Sequence, residues 1–264
     1  MDAWEYRGRW ALVTGASAGI GAAFARALAR RGMSVVLAAR RADRLRALAA
    51  ELERAHGVEA IALPADLGKP GAAGVLWAEA AAEGRGLHLL VNNAGFGLKG
   101  RFDELPLERQ AEMVRVNCIA PLELAHLALR HLRPRGAGGI VNVASIAGYQ
   151  PIPLLAAYAA SKAFLVALSE ALADECRGSG VRVVTLSPGA VATEFQGVAG
   201  TRVSGKTLGI RSPEQVVEAA LRALERGGGS VVPGLANRLG AVAGRLGPRS
   251  FVMRAAKAVM TRLR

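Results

Sequence analysis

What most constrains this chain is an alternation of two patterns. Short aliphatic runs at 10–14, 35–39, 59–63, 87–92, 139–144, 181–186 and 230–232 are separated by helical patterns at 20–31, 43–56, 71–83, 107–133, 156–177 and 213–226. Runs that are apolar at nearly every position belong to strands covered on both faces, and the intervening helices supply the cover. Right-handed crossovers then predict an α/β fold: a doubly wound parallel sheet of about seven strands with helices on both faces. Such a sheet binds ligands beyond the carboxyl ends of its strands, so chemically capable residues are expected at the strand-to-helix junctions.

The chain has 264 residues, with neither a solenoid-length repeat nor a Ser/Gly linker, which fits one domain. Hydrophobic residues make up 52% and charged residues 21%, excluding a disordered or collagen-like chain. Two cysteines, Cys118 and Cys176, exclude a disulfide-dense scaffold and a four-cysteine zinc site, and both read as small buried hydrophobes. The four histidines (His56, His88, His126, His131) form no ligand motif, so no metal is expected. The N-terminal stretch from Met1 to Arg7 is charged and lacks an apolar core. The longest charge-free stretch, 136–161, carries Asn142, Ser145, Gln150, Pro151 and Pro153. Neither a signal peptide nor a transmembrane helix is expected, and a cytoplasmic location follows as the default.

Charge is the unusual bulk property. Thirty-four Lys and Arg stand against 21 Asp and Glu, a net of +13. Glu225 is the last acidic residue, and 226–264 holds eight basic ones. No nucleic-acid reader motif or aromatic-basic platform accompanies the charge, so nucleic acid is not an expected partner.

At the first junction, Thr14-Gly15-Ala16-Ser17-Ala18-Gly19-Ile20-Gly21 opens directly into a helix. Glycines let backbone approach a pyrophosphate, and a helix start offers free amides and the positive end of its dipole. The same turn would also serve close helix–strand packing. Tyr158 and Lys162 lie four apart in a helical pattern and so project from one face. An adjacent ammonium favours the phenolate, which is expected to bring the phenol down from ~10 toward the useful range for proton transfer. Ser145, at the end of the fifth run, is placed to hydrogen-bond a substrate oxygen and stabilise a developing alkoxide.

The spacing Thr-Gly-x-x-x-Gly-x-Gly resembles the short-chain dehydrogenase/reductase family. Further matches follow in family order: Asp66 in Ala65-Asp66-Leu67, Asn92-Asn93-Ala94-Gly95, Asn117 after Val116, Ser145 with Tyr158-Ala159-Ala160-Ser161-Lys162, and Ser187-Pro188-Gly189 followed by Thr193. The resemblance covers residues 10 to about 195. It implies a Rossmann-like NAD(P)-binding domain with Gly15, Ser17, Gly19, Ile20 and Gly21 at the pyrophosphate, and Asp66 and Leu67 at the adenine. Asn93, Ala94 and Gly95 would line the adenosine side, and Pro188, Gly189, Val191 and Thr193 the nicotinamide. It further implies hydride chemistry on a carbonyl, with Tyr158 donating the proton and Lys162 also binding the nicotinamide ribose. Asn117 would position, through its backbone, a water that reprotonates the site. NAD-preferring relatives carry an acid at the end of the second strand; here Ala39 stands there, followed by Arg40 and Arg41. A carboxylate would repel a 2′-phosphate and an arginine fork can hold it. NADP(H) is therefore expected over NAD(H), with Arg40 the first candidate and Arg41 and Ser17 its helpers.

On the substrate side, the resemblance makes about 190–211 a lid, with Phe195 among its apolar residues; Phe96, Tyr149 and Ile152 are expected to face the same cleft. This lining suggests a largely apolar carbonyl compound. After a catalytic domain at 1–233, residues 234–264 form a basic amphipathic extension. Leu235, Leu239, Val242 and Leu246 recur at i, i+4, i+7 and i+11. Such a helix can lie as a peripheral contact on an anionic membrane, or pack on its own domain or a subunit partner. The resemblance also implies a homo-oligomer built on 107–133 and 156–177. The expected activity is an NADPH-dependent, reversible carbonyl reductase. An NAD-dependent alcohol dehydrogenase and a non-catalytic nucleotide-binding scaffold are the alternatives.

Overall fold

The computed structural model describes residues 4–191, 211–248, 250, 252–254 and 256. Seven strands form one parallel sheet: β1 (Trp10–Thr14), β2 (Ser34–Ala39), β3 (Ala60–Pro64), β4 (Leu87–Asn92), β5 (Gly138–Val143), β6 (Val181–Leu186) and β7 (Gly229–Val231). Their spatial order is β3-β2-β1-β4-β5-β6-β7. The order reverses between β1 and β4, and there the crevice for a ligand opens. The expected strands are present, displaced by at most about one residue, within the ordinary scatter of element ends.

Alternate side chains of the strands feed two cores. Ala11, Val13, Val35, Leu37, Leu89 and Val91 pack on one face with Phe24 and Leu28 of α1 (Gly19–Arg30). Leu12, Val36, Leu90 and Ile140 pack on the other with Leu124 and Leu132. This period of two, with both faces dry, is why every strand reads apolar throughout. Among the described residues, six further α-helices complete the layers and a seventh follows the last strand. They are α2 (Ala42–His56), α3 (Ala72–Ala80), α4 (Leu107–Val114), α5 (Ala120–Leu132), α6 (Ala156–Glu175), α7 (Pro213–Glu225) and α8 (Leu235–Leu246).

The pattern at 107–133 is not one helix. A π-turn, Arg115–Ile119, separates α4 from α5. Pro121 has no N–H to return to the Asn117 carbonyl, so the ordinary ladder fails at that point and the chain widens instead. The helix expected at 71–83 stops at Ala80, because the turn that follows places Glu83 and Gly84 at positive φ.

Among the described residues, α6 is the one helix long and apolar enough to cross a membrane. It is a core helix here: Leu165, Val166 and Ser169 are buried, and it presents Tyr158 and Lys162 at the end of the sheet.

Candidate active site

The first junction is built from backbone and glycine. Gly15 (φ +66°) and Gly19 (φ +55°) take the left-handed conformation that favours glycine. At Gly21 a Cβ would collide with the Gly15 carbonyl, so only glycine lets α1 seat on the end of β1. The α1 N-cap, Ala18, makes no side-chain cap bond and the first turn carries no acid, leaving its amides for an anion. Thr14 ties this turn to the next strand end. Its hydroxyl donates to the Val91 carbonyl (3.2 Å) and accepts from the amides of Asn93 and Ala94 (both 3.0 Å). Asn93 answers with its side-chain amide, donating to the carbonyls of Thr14 (2.9 Å) and Gly15 (3.3 Å). The cradle thus fits a dinucleotide pyrophosphate in conformation, free amides and absence of negative charge.

At the second junction, Arg41 lies over the glycine turn and donates through Nε and Nη2 to Ser17 Oγ (3.2 and 3.0 Å). Arg40 points elsewhere, to Glu112 on α4 (3.2 Å), which also pairs with Arg109. Of the two arginines expected at the 2′-phosphate, Arg41 thus lies with Ser17 beside the cradle and Arg40 is paired with Glu112. Glu112, from a distant helix, gave no sequence signal. Asp66 Oδ1 accepts from the Gly68 amide (3.1 Å), and Leu67 packs into the second core.

The chemistry converges at the ends of β5 and β6. Ser145 caps a short 3-10 turn (Ile146–Tyr149), its Oγ accepting from the Ala147 amide (3.1 Å), and it is also hydrogen-bonded to the Tyr158 side chain. Lys162, buried behind, donates Nζ to the Val143 carbonyl (2.9 Å) and lies 6.0 Å from the centre of the Tyr158 ring. Asn117 sits in the π-turn with its side chain fully engaged: Oδ1 accepts from the Phe96 amide (3.1 Å), and Nδ2 donates to the Phe96 carbonyl and to Ser161 Oγ (both 3.0 Å). Ser161 Oγ in turn donates to the Tyr158 carbonyl (2.7 Å), so Asn117 and Tyr158 are linked through a serine inside the Tyr-Ala-Ala-Ser-Lys run. A buried chain lies beneath: Asn92 donates to Asn142 (2.9 Å), which donates to Ser169 on α6 (2.8 Å).

Burial pushes the Tyr158 phenol up to about 12, against the opposing pull of its bond to Ser145. Burial likewise draws Lys162 down to about 8. The expected lowering of the phenol by its neighbouring ammonium is not what this arrangement gives. Desolvation of the phenolate dominates, while the Lys162 ammonium gives one of its three protons to the Val143 carbonyl and keeps its charge behind the ring.

Pro188 and Gly189 redirect the chain after β6. The Pro188 carbonyl accepts from the Ile146 amide (3.0 Å), binding this exit to the Ser145 turn, and Gly189 faces the Asn237 side chain of α8. Val191 is buried and forms an isolated parallel bridge with Arg211. Thr193, Phe195 and the lid from 192 to 210 lie outside the described residues. Phe96, Ile152, Leu155 and Ala147 share one apolar cluster with Tyr158, and Ala256, from beyond α8, packs against it. Tyr149 lies in a neighbouring cluster, its hydroxyl within hydrogen-bond distance of Ser187 Oγ (3.3 Å) and its ring under Arg245. Both cysteines are buried and free, and burial pushes the Cys118 thiol up. Among the described residues no cluster of metal-ligating side chains occurs.

This fold and site define a nucleotide-dependent oxidoreductase of the hydride-transfer kind. A family model for short chain dehydrogenases matches residues 9–203, and the chain belongs to that family, the NAD(P)-dependent short-chain dehydrogenases/reductases. A 7beta-hydroxysteroid dehydrogenase of Collinsella aerofaciens is 34% identical over 230 residues, 85% of this chain and 86% of that protein. A very-long-chain 3-oxoacyl-CoA reductase of Pyrenophora tritici-repentis is 33% identical over 85% of this chain but only 65% of its own length, so the chain spans under two thirds of that relative. Among solved structures, a short-chain dehydrogenase from Sphingobium yanoikuyae in complex with NADPH superposes with a TM-score of 0.81 at 34% identity, covering 97% of this chain and 96% of that one. A 3-ketoacyl-(acyl-carrier-protein) reductase from Brucella melitensis in complex with NADH does so with 0.76 at 27% identity, covering 87% and 98%.

Proposed function

We propose that the chain reduces an apolar ketone or acyl carbonyl to the alcohol with NADPH, reversibly. The observation that carries this reading is the Tyr158–Ser145 hydroxyl pair at the edge of the Phe96, Ile152 and Leu155 cluster, with Lys162 buried behind it. The reduced nicotinamide, when bound, supplies a hydride to the carbonyl carbon. Ser145 Oγ and the Tyr158 hydroxyl then both donate to the carbonyl oxygen, holding it as negative charge develops there. A phenol held at about 12 is fully protonated at neutral pH, so Tyr158 is loaded as the acid that reduction needs. The Lys162 ammonium stabilises the phenolate left behind, and in alcohol oxidation the same proton returns to Tyr158. The apolar cluster excludes water and accepts a hydrocarbon rather than a sugar. Preference for NADPH is supported by Ala39 in place of an acid and by the Arg41–Ser17 pair beside the cradle.

The exposed apolar residues Leu107, Val114, Ile119, Leu122 and Phe164, on α4, the π-turn, α5 and α6, suit a second copy of the chain docked on that face.

The test is NADPH consumption against ketones and acyl carbonyls of rising chain length, with Tyr158→Phe in parallel. Turnover that rises with chain length and drops by about 10²-fold or more in the Phe variant is expected. Full turnover in the Phe variant would end the proton-donor assignment, and a preference for short polar carbonyls would end the substrate class.

A further inference from the structure

Helix α8 carries a regular apolar stripe, and the structure turns it outward. Leu235, Leu239, Val242 and Leu246 are 72%, 63%, 54% and 82% exposed. At 100° per residue these four fall within a narrow arc of the helix surface. The opposite face holds the domain contacts. Ala241 is buried, Asn237 meets Gly189 and donates to the Pro233 carbonyl (2.8 Å), and Gly244 lies against the backbone of Tyr149 and the side chain of Gln150. An amphipathic helix normally buries its apolar side, so this helix has been mounted by its small and polar residues, leaving the apolar side for something else.

We infer that the outward face of α8 is a docking surface for an anionic phospholipid bilayer. Four observations favour lipid. Arg238 flanks the stripe, exposed and without an ion pair among the described residues, while Arg245, on the same flank, is tied back to Glu170 and the Tyr149 ring. The chain from 226 to 264 holds eight basic residues and no acid, so pairing two such helices from two copies would oppose like charges, whereas an anionic headgroup layer complements them. Among the described residues after α8, Val252 is buried against Gly247 and Ala256 packs on the Tyr158 cluster, both away from the stripe. Twelve residues make a helix of about 18 Å, too short to span a bilayer and suited to lying in its surface.

The placement has a consequence that rests on the proposed carbonyl reduction. The inner face of α8 packs on the turn after Ser145 and on the exit at Gly189, so a bilayer on its outer face would lie one helix away from the proposed site, and apolar ketones and acyl chains partition into such a bilayer.

The experiment is cosedimentation of the full chain with vesicles of phosphatidylglycerol and phosphatidylcholine, against phosphatidylcholine alone. Wild type is compared with Leu239→Glu/Leu246→Glu and with Arg238→Glu, all at exposed positions. Binding to the anionic vesicles is expected. It should fall about tenfold or more in the double leucine variant and several-fold in Arg238→Glu, and weaken between low and about 0.5 M salt. Absence of binding to anionic vesicles overturns the inference, as does binding that the leucine changes leave intact. If the double variant instead shifts an oligomer to monomer in sedimentation velocity, with no vesicle binding by wild type, the occupant is a second copy and the inference fails. Because binding is read without turnover, failure of the proposed carbonyl reduction would show separately, as wild type that binds vesicles and reduces no ketone.

Discussion

At the residue scale, the site depends on how burial sets two protonation states. Lys162, drawn down to about 8, keeps its charge at neutral pH and loses it as pH rises through that value, while Tyr158, near 12, stays protonated throughout. The rate of reduction is therefore expected to fall as pH rises through about 8, in a pH profile taken with cofactor and ketone saturating. A rate unchanged to about pH 10 would remove the ammonium from the mechanism. Arg41→Ala is expected to weaken NADPH binding about tenfold and leave NADH nearly unchanged, read by fluorescence titration. Arg40→Ala should do less, because that guanidinium is occupied by Glu112. Equal losses for both cofactors would assign Arg41 to the fold instead. The residues of the site were legible in the sequence because each sits in a local run whose chemistry is unusual. The partner of Arg40 and the high phenol were not, since both depend on tertiary structure: Glu112 is brought from α4, and the burial that raises Tyr158 is set by the elements packed around it.

At the scale of elements, one missing side chain and one missing N–H shape the site. Gly21 allows α1 to rest on the carbonyl of Gly15, so the first-turn amides meet the end of β1. Gly21→Ala gains roughly 1 kcal/mol of helix propensity. It also forces a collision with backbone and with the Asn93 side chain, a cost of about 1–3 kcal/mol or more. A net loss of stability in urea unfolding is expected, together with weakened cofactor binding. An unchanged midpoint would show that α1 can slide. Pro121 acts the other way: by withholding an N–H it opens the π-turn that carries Asn117. That break was available in the sequence as a proline inside a helical pattern. Its form was not, because whether a proline kinks, ends or widens a helix depends on what packs around it. Here Asn92 donates to the Pro121 carbonyl (3.1 Å), and Phe96 and Ser161 hold Asn117.

At the scale of the molecule, the described residues leave apolar side chains exposed on the α4–α6 face and on α8 after the cores are filled. The α4–α6 face is assigned above to a second copy, and Ile119→Glu with Phe164→Glu is expected to shift the chain to a monomer in sedimentation velocity, with the far-ultraviolet spectrum retained. An oligomer that survives both charges would place the subunit contact elsewhere. The α8 face is assigned to lipid, and the two surfaces can be tested independently because they lie on different helices. The sequence by itself determined the parallel sheet, its strand number and the family, because strands dry on both faces must be apolar throughout and because the glycine turn, Ser145, Tyr158 and Lys162 are each local in the chain. The stripe at 235, 239, 242 and 246 was equally plain as a pattern. Which way it faces was decided by tertiary structure alone. A period gives the angle between side chains on one helix, and only the surface the helix packs against, here the Ser145 turn and Gly189, fixes which side is left to solvent.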